Sequence, residues 1–516
     1  MKNIHFCFIA VILIMFFSCK SKKTHVDYAE PDLANIVKFK LIQINDVYEI
    51  APISGGLHGG MARVAHIRDS IKEITPNTYM MLAGDFLNPS LLGSIEYKGR
   101  QIQGKQMIEV MNAMNFDLVT FGNHEFDLSE EDLLSRLEES NFAWTSANVE
   151  HITQDGDTLP FNYNFDGRKK PIPTQYIIDV PIDEQHTLPV GFFSVTINST
   201  PKDYVHYKDY FESAYQAYHE LENKAKIIIG LTHVSLEQDK KIAESMDKVP
   251  LIMGGHEHYN MLVSTRNGTI AKADANVKTI YVHTIQYDLE TKQTNIHSTL
   301  IPINDKIAFQ AKTQQVVDKW QQILESELKK FIDKPNEIIY SAKEPLDGTD
   351  EASRSKQTNL GKLITKAMST SYKEVDAAIV NGGSIRIDDK LEGNVSSTDI
   401  FRVLPFGGTV IKVAMTGELL KETLEYAESK LGTGAYLQRD NIKFEKGRWY
   451  VNKQILQNNR IYQIAMTDFL ITGYDIPFLT SKNKNIIEVH HPDEKEVASD
   501  IRKVIIAYLK KNHKLN

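Results

Sequence analysis

The chain has 516 residues, of which 42% are hydrophobic and 24% are charged, and its formal net charge at neutral pH is −8. This length and apolar content are enough for two domains, each with its own core. The acidic balance argues against a nucleic-acid polymer as the partner, and a small anionic ligand would have to be bound by local cations and metals.

The first segment in chain order, residues 1–19, has the pattern of a bacterial lipoprotein signal peptide. A basic start is followed by an apolar run over residues 4–17, and a small residue precedes Cys19, as in a lipobox. The run has about 14 apolar residues, whereas crossing a bilayer takes roughly 20. We therefore expect a lipid on Cys19 and a tether over residues 20–36. The mature protein is expected to be exported and anchored to a membrane, in the periplasm or at the cell surface.

The next region, residues 37–303, alternates strand-like and helical patterns and carries five polar clusters. Each cluster follows a short apolar, β-branched run, so it should lie just past the C-terminal end of a buried strand. The clusters are Asp46, Gly84-Asp85, Gly122-Asn123-His124-Glu125, His233 and Gly255-His256-Glu257-His258. We expect these loops to converge at one edge of a sheet. The alternation predicts a layered α/β domain of mixed sheets covered by helices.

The converging groups have the composition of a site for two divalent cations. Two ions about 3.5–4 Å apart need several donors, one of them a carboxylate that can bridge both, and Asp85 is the natural bridge. Carboxylate, amide and imidazole groups together suit zinc, manganese or iron. The other donors are Asp46, Asn123, His233, His256 and His258.

Three segments between these loops carry further structural predictions. Helices are predicted over residues 128–140 and residues 210–225 from their apolar periodicity. The segment over residues 150–168 is polar and contains two glycines. It is predicted to be an irregular insertion.

Residues 304–335 are predicted to connect the first domain to a second. Apolar residues recur at three- and four-residue steps over residues 316–331, and Pro335 ends the pattern, which is typical of one amphipathic helix. The region that follows, residues 336–516, has no metal-type cluster in its sequence. It does contain a glycine-rich loop over residues 381–386 that ends in an arginine after a strand-like run. Backbone N–H groups and a guanidinium in such a loop can bind an anion.

The chain resembles the 5′-nucleotidase family of metallophosphatases in two motifs, Gly122-Asn123-His124-Glu125-Phe126-Asp127 and Gly254-Gly255-His256-Glu257-His258. The family includes bacterial UDP-sugar hydrolase/5′-nucleotidases and animal ecto-5′-nucleotidases. The resemblance covers nearly everything after residue 38. It implies a four-layer calcineurin-like metallophosphatase domain over residues 37–303, joined by the helix to a C-terminal α/β 5′-nucleotidase domain over residues 336–516.

The resemblance also implies ligands and an activity. Asp46, Asp85 and His258 would hold the first metal, and Asp85, Asn123, His233 and His256 would hold the second. His124, oriented by Asp127, would stabilise charge on the phosphoryl oxygens or protonate the leaving oxygen. The implied activity is hydrolysis of nucleoside 5′-monophosphates by a water that two metals activate, with UDP-sugars and cyclic nucleotides as further candidates.

One position among the ligand loops departs from the family pattern. The family reads Asn-Asp-x-His at the first loop, whereas this chain has Tyr48 at the histidine position. A tyrosine ligates as a phenolate and must first lose a proton with a reference pKa near 10. Three outcomes are open: Tyr48 binds a strongly Lewis-acidic ion, His58 reaches the site, or water fills the position and the metal binds weakly. The alternative function is therefore a nucleotide-binding surface lipoprotein with an impaired metal site.

In the second domain, the resemblance implies a substrate pocket. Two phenylalanines would sandwich the base, Phe406 and Phe469, and Asp475 would accept the ribose hydroxyls. Phosphate, ribose and neighbouring groups would be held by Arg354, Asn381 and Arg386. Stacking on aromatic faces tolerates different bases, so we expect broad base specificity.

Overall fold

The computed structural model describes residues 35–165 and 167–512. The predicted signal peptide, the lipid attachment at Cys19 and residues 20–34 of the predicted tether lie outside the described residues. None of the helices in the described ranges combines the length and the apolar character that crossing a bilayer requires.

Two six-stranded mixed sheets form the N-terminal half. The strand order in the first sheet is Thr294–Pro302, Thr279–Asp288, Ile36–Ile44, Thr78–Ala83, Leu118–Thr120 and Ala143–Trp144. The order in the second sheet is Gln175–Pro181, Thr187–Phe193, Ile227–Thr232, Leu251–Gly254, Thr269–Lys272 and Met261–Ser264. Within each sheet, the strands that precede the predicted ligand loops run parallel to one another. Their C-terminal ends therefore share one edge.

The two sheets pack face to face around an apolar core. Phe39 and Met81 of the first sheet belong to the same buried cluster as Phe192 and Met253 of the second. Helices cover the outer faces of both sheets. Those on the first sheet are Met61–Ile74, Lys105–Met114 and Glu130–Glu139, and those on the second are Tyr210–Glu222 and Leu236–Ser245. The four layers confirm the predicted architecture of this half and the two helices predicted between the ligand loops.

The prediction of an irregular insertion over residues 150–168 is wrong. This region forms the short strands Val149–Ile152, Thr158–Leu159 and Asn162–Phe165, and Arg168–Pro171 follows. They pair as antiparallel hairpins, and Val149–Ile152 also pairs with Val205–Tyr207. The two glycines that suggested a loop, Gly156 and Gly167, have positive φ at the hairpin turns. Surface hairpins tolerate a polar sequence because only part of each strand is buried.

The predicted connecting helix is observed as Ala311–Leu328. Its buried face carries Val317, Trp320 and Leu324, which lie in the same apolar cluster as residues of both halves. The cluster extends to Ile364 in the C-terminal half. The helix thus packs against both halves, while the exact domain boundaries stay predictions.

The C-terminal half is built on a five-stranded sheet. Its strand order is Leu437–Asp440, Ala377–Asn381, Ile461–Thr467, Val410–Thr416 and Ile486–His490. The helices of this half are Asp350–Ser355, Asn359–Ser369, Ser397–Val403, Gly417–Ser429 and Ile501–Asn512. Smaller sheets pair Ile338–Asp347 with Lys390–Ser396, and Arg448–Val451 with Ile442–Glu445 and Gln454–Ile455. A hairpin of Glu96–Tyr97 with Arg100–Gln101 and the short helix Leu91–Ser94 complete the N-terminal half.

Candidate metal centre and adjoining cavity

The predicted ligand loops meet at one edge of the two packed sheets. Asp46, Asp85 and His233 each offer a ligand atom, these atoms lie within 4.8 Å of one another, and all three side chains are buried. His233 Nε2 lies 3.0 Å from Asp85 Oδ2. His258 Nε2 lies 3.4 Å from Asp46 Oδ1.

The loops that carry Asn123 and His256 are bound to the carboxylates of this cluster by backbone N–H groups. The backbone N–H of His256 donates to Asp46 Oδ2 at 3.0 Å. Asn123 precedes His124, whose backbone N–H donates to Asp85 Oδ1 at 2.7 Å. The His256 ring lies 5.5 Å from the His233 ring, centroid to centroid. The structure therefore brings the predicted Asp and His side chains and the Asn123 loop together, and their roles as metal ligands stay predictions.

Three buried atoms in this cluster fit a divalent cation. Asn123 Oδ1 has no hydrogen-bond partner among the residues that the structure describes. His233 Nε2 and Asp46 Oδ1 contact only other predicted ligands, Asp85 Oδ2 at 3.0 Å and His258 Nε2 at 3.4 Å. An unsatisfied buried polar group costs about 1–3 kcal/mol, so such atoms usually have a partner. His233 Nδ1 donates to Ala83 O at 2.8 Å, which leaves the Nε2 lone pair free for a metal. The donor set and its unsatisfied atoms thus match a metal centre.

Glycines allow the loops to approach closely. A Cβ on Gly122 would lie 2.1 Å from Asp85 Oδ1, and a Cβ on Gly255 would lie 2.2 Å from Ala83 O. Any side chain at these two positions would displace the groups that surround the cluster. Close approach is therefore the physical reason for glycine beside the ligands in both motifs.

The predicted catalytic pair is in direct contact. His124 Nδ1 lies 2.7 Å from Asp127 Oδ2, so Nδ1 donates to the carboxylate and Nε2 is the ring atom left for a substrate. Burial lowers the pKa of His124, but the Asp85 and Asp127 carboxylates raise it to about 9 overall. For Asp85, burial raises the pKa, but the neighbouring His233 and His124 lower it below its usual value overall. The arrangement therefore favours a protonated His124 beside the ionised carboxylates of Asp85 and Asp127.

Tyr48 lies within the cluster, and His58 does not. Tyr48 Oη is 3.1 Å from His258 Nε2 and 3.5 Å from Asp85 Oδ2. Burial and the Asp85 carboxylate raise the pKa of Tyr48 well above its usual value, which favours the protonated phenol. The backbone of His58 forms bridges with Ile53 and Asn304. Within the described ranges, no hydrogen bond or ion pair joins the His58 side chain to the cluster, so the geometry favours Tyr48 over His58.

Glu125 supports the loop that carries Asp85, a role that sequence reasoning missed. Its carboxylate accepts backbone N–H bonds from Asp85 at 2.9 Å, Phe86 at 2.7 Å, Leu87 at 3.0 Å and Gly122 at 2.6 Å. Burial and the Asp85 carboxylate raise the pKa of Glu125 to about 7. Its place inside the Gly-Asn-His-Glu motif is the signal that could have indicated this role.

The C-terminal half reaches the cluster through one loop. His258 Nδ1 lies 2.7 Å from the backbone carbonyl of Asp388 and 3.3 Å from its Oδ2. The neighbouring Asp389 pairs with Lys278 of the N-terminal half at 2.6 Å. His258, a predicted metal ligand, therefore donates a hydrogen bond from Nδ1 to a backbone carbonyl of the other half of the molecule. Nothing in the sequence indicated this contact, because the two residues are 130 positions apart.

A cavity of about 520 Å³ lies in the C-terminal half beside this loop. Its lining includes all the predicted substrate residues, Arg354, Asn381, Arg386, Phe406, Phe469 and Asp475. Phe406 is 72% exposed and Phe469 is 39% exposed, so their rings are accessible rather than buried in the core. Arg386 and Phe406 also line a narrower cavity that includes Tyr48. The two shared residues place the aromatic cavity next to the metal-type cluster.

Known proteins resemble both halves of the chain. Residues 39–260 match the family described as calcineurin-like phosphoesterase, and residues 338–480 match the family described as 5′-nucleotidase, C-terminal domain. The 5′-nucleotidase of Homo sapiens is 27% identical over 472 residues, covering 81% of this chain and 78% of that protein. The 5′-nucleotidase of Bos taurus is 26% identical over the same shares.

The fold also matches a solved structure. A 5′-nucleotidase precursor from Thermus thermophilus superimposes with a TM-score of 0.66. The match covers 92% of this chain and 96% of that chain, at 21% sequence identity. It supports the order and arrangement of both halves.

Proposed function

Because this chain belongs to the two-domain 5′-nucleotidase family of metallophosphatases, we propose that it hydrolyses nucleoside 5′-monophosphates to nucleoside and phosphate. The observation that carries the proposal is the cluster of Asp, Asn and His donors beside a cavity with two exposed phenylalanines. UDP-sugars and cyclic nucleotides are further candidate substrates of the same site. The alternative is a lipoprotein that binds nucleotides without hydrolysing them. Measurements of bound metal and of phosphate release decide between the two functions.

The proposed cofactor is a pair of zinc, manganese or iron ions. Asp85 would bridge them, with Asp46 and His258 at the first ion. Asn123, His233 and His256 would hold the second. When bound, the ions polarise the phosphoryl group and lower the pKa of the attacking water. Tyr48 Oη lies 3.1 Å from His258 Nε2, so Tyr48 would stand beside the first ion as a ligand or as a hydrogen-bond donor.

His124 would supply the proton chemistry. Asp127 holds Nδ1 at 2.7 Å, so Nε2–H is directed away from that carboxylate and can donate to a phosphoryl oxygen or to the leaving oxygen. Despite burial, the Asp85 and Asp127 carboxylates raise the pKa of His124 to about 9, which favours the protonated ring at neutral pH in the metal-free protein. General acid catalysis of this kind typically contributes 10²–10⁴-fold in rate.

The C-terminal cavity would select the substrate. Phe406 and Phe469 would stack on the base, and the Asp475 carboxylate would accept the ribose hydroxyls. Arg386 lines both cavities and would steady the phosphate together with Arg354. Placement at a membrane through a lipid on the cysteine of the N-terminal signal is a further part of the proposal, and it is supported by the sequence pattern alone.

Metal content and phosphate release test the proposal together. Two equivalents of bound metal, with phosphate released from AMP, GMP, CMP or UMP under Mn²⁺ or Zn²⁺, would support it. Including UDP-glucose and 2′,3′-cyclic AMP in the panel separates monoesterase from diesterase activity. Nucleotide binding with no bound metal and no turnover would instead establish the non-catalytic alternative.

Asp85→Asn should lower turnover of the best monophosphate by at least about 10²-fold, because it removes charge from the bridging carboxylate. Asp155→Asn is the matched control, since Asp155 is exposed and lies in a surface hairpin. Turnover of Asp85→Asn close to that of the control would contradict the assignment of the metal centre.

A further inference from the structure

Lys272 is a fully buried cation at the end of a strand of the second sheet. Its Nζ donates to the backbone carbonyl of Val234 at 2.7 Å and to that of Gly255 at 2.8 Å. Val234 directly follows His233, and Gly255 directly precedes His256. One ammonium group therefore joins the two loops of the second sheet that carry predicted metal ligands.

Two carboxylates neutralise this ammonium. Asp239 Oδ2 lies 2.8 Å from Nζ, and Glu257 Oε2 is bonded to it as well. Each carboxylate has a second partner: Thr232 Oγ1 donates to Asp239 at 2.6 Å, and the Leu236 backbone N–H donates to Glu257 at 2.7 Å. The three N–H donors of the ammonium thus go to Val234 O, Gly255 O and Glu257 Oε2, and Asp239 Oδ2 is an ion-pair partner beside them. The charge is paired and hydrogen-bonded, as a buried charge must be.

The surrounding backbone leaves room for the lysine stem. A Cβ on Gly254 would lie 2.7 Å from Lys272 Cε. Stability alone is a weak explanation for such a group, because apolar residues of similar volume often replace a buried ion pair without loss. What apolar residues cannot provide is a donor that ties two separate loops together.

We propose that Lys272 is a positioning residue for the second metal site, where it fixes the separation of His233 and His256 by holding a backbone carbonyl beside each. The inference rests on the proposed metal centre. Lys272 acts through the two loops, since its Nζ bonds their carbonyls rather than the ligand side chains. Groups that orient metal ligands in this way typically change metal affinity by 10–100-fold.

The test compares Lys272→Met with Arg136→Met as a matched control. Arg136 is also a buried cation that holds two carbonyls: its Nη1 donates to Ile102 O at 2.9 Å and to Gln103 O at 3.1 Å, and its Nε pairs with Glu139 at 2.9 Å. None of these partners is a predicted metal ligand. Both variants should lose stability, so melting temperature alone does not distinguish them.

Metal binding is the deciding readout. Equilibrium dialysis should show that Lys272→Met binds one of two Mn²⁺ equivalents about 10–100-fold more weakly than the wild type. The visible spectrum of the Co²⁺-loaded protein should change in Lys272→Met, because the donor geometry changes, and should stay unchanged in Arg136→Met. Wild-type Mn²⁺ affinities and an unchanged Co²⁺ spectrum in Lys272→Met would overturn the inference.

Three further variants keep the outcome decisive. If the wild type binds no Mn²⁺, or if His233→Ala binds it unchanged, the proposed metal centre fails rather than the role of Lys272 alone. If Lys272→Met does not fold, the double variant Lys272→Met/Asp239→Asn removes the ammonium and its fully buried carboxylate partner, and it is compared with Asp239→Asn. A loss of Mn²⁺ affinity confined to the double variant supports the inference, and equal affinities overturn it.

Discussion

Tyr48 occupies the position where the family places a histidine, and its Oη contacts His258 Nε2 at 3.1 Å. Burial and the Asp85 carboxylate keep the pKa of the phenol high, so the side chain offers a proton where histidine would offer a lone pair. A divalent ion could reverse this by displacing the proton. In the proposed metal centre, the side chain at this position would therefore set how tightly the first ion is held.

We expect Tyr48→His to bind the first metal at least about 10-fold more tightly, because a neutral imidazole needs no deprotonation to ligate. Tyr48→Phe is the control, since it removes the oxygen without adding a ligand. Both variants are measured by competition with a chelator of known affinity. A loss of affinity in Tyr48→Phe without a gain in Tyr48→His would show that Tyr48 is itself an effective ligand.

His283 gives a pH dependence that is separate from the metal centre. It is buried between Gln43 Oε1 at 2.9 Å and Ser298 Oγ at 2.8 Å, and burial lowers its pKa to about 3. In the unfolded chain the pKa is about 6.5. Between these values the unfolded state binds a proton that the folded state does not, so protonation at His283 lowers the free energy of unfolding as pH falls.

His283→Gln should therefore reduce the acid sensitivity of stability. The free energy of unfolding of the wild type should fall more steeply between pH 6 and pH 4.5, by up to about 1.4 kcal/mol per pH unit relative to the variant. Urea unfolding at several pH values measures both slopes. Parallel pH profiles would show that the histidine does not contribute this proton.

At the scale of elements, sequence patterns predicted the strands, helices and loops whose formation depends on residues nearby in the chain. Each ligand loop was predictable because it follows an apolar run that can only be a buried strand, as with Asp85 after Thr78–Ala83. Lys272 was not, since a lysine at the end of a strand predicts an exposed side chain. Its acceptors Val234 and Gly255 lie 38 and 17 positions away, and only tertiary packing brings them to it.

The two aromatic loops of the C-terminal half give a prediction about substrate binding. Phe406→Ala should raise KM for nucleotides by roughly one to two decades, because stacking of a base on an aromatic ring contributes about 1–3 kcal/mol. The KM for p-nitrophenyl phosphate, which has no base, should change less. Since Phe406 is 72% exposed, its loss should change the melting temperature little. Phe444→Ala is the matched control, because Phe444 is 54% exposed and does not line the cavity.

The same comparison applies to Phe469→Ala, whose ring is 39% exposed on the other loop. Equal losses for both substrates, accompanied by a large fall in melting temperature, would assign the two rings to the core and leave the cavity without a stacking role. Core truncation of phenylalanine typically costs about 3–5 kcal/mol. The exposure of both rings argues for the stacking role rather than for a place in the core.

At the scale of the whole molecule, the two halves are joined by buried charge as well as by the connecting helix. Arg402 Nε lies 2.8 Å from Glu49 Oε1, and Arg402 Nη1 lies 2.9 Å from Asp399 Oδ1. Glu49 follows Tyr48 in the N-terminal half, so the pair docks the C-terminal half beside the metal-type cluster. Sequence alone did not indicate this contact, because the residues next to an arginine in the chain are similar whether it lies on the surface or at a junction between domains.

Arg402→Met should lower the free energy of unfolding by about 3–5 kcal/mol, because it leaves two buried carboxylates without their cation. Arg100→Met is the control: Arg100 pairs with Glu131 at 2.7 Å, but both side chains are largely exposed, and its loss should change stability little. Urea unfolding monitored by tryptophan fluorescence measures both. Similar stabilities of the two variants would mean that the junction does not depend on this pair.

In the proposed metal centre, the hydrogen bond between His258 Nδ1 and the Asp388 carbonyl would link metal affinity to the docking of the two halves. The bond exists only while the C-terminal half is docked, and it orients the imidazole that would face the first ion. By thermodynamic reciprocity, whatever docking adds to the affinity for that ion, the ion adds to docking. Removal of the metal by a chelator would then weaken the docking of the C-terminal half on the N-terminal half. The hydrodynamic radius of the protein would therefore change with its metal content.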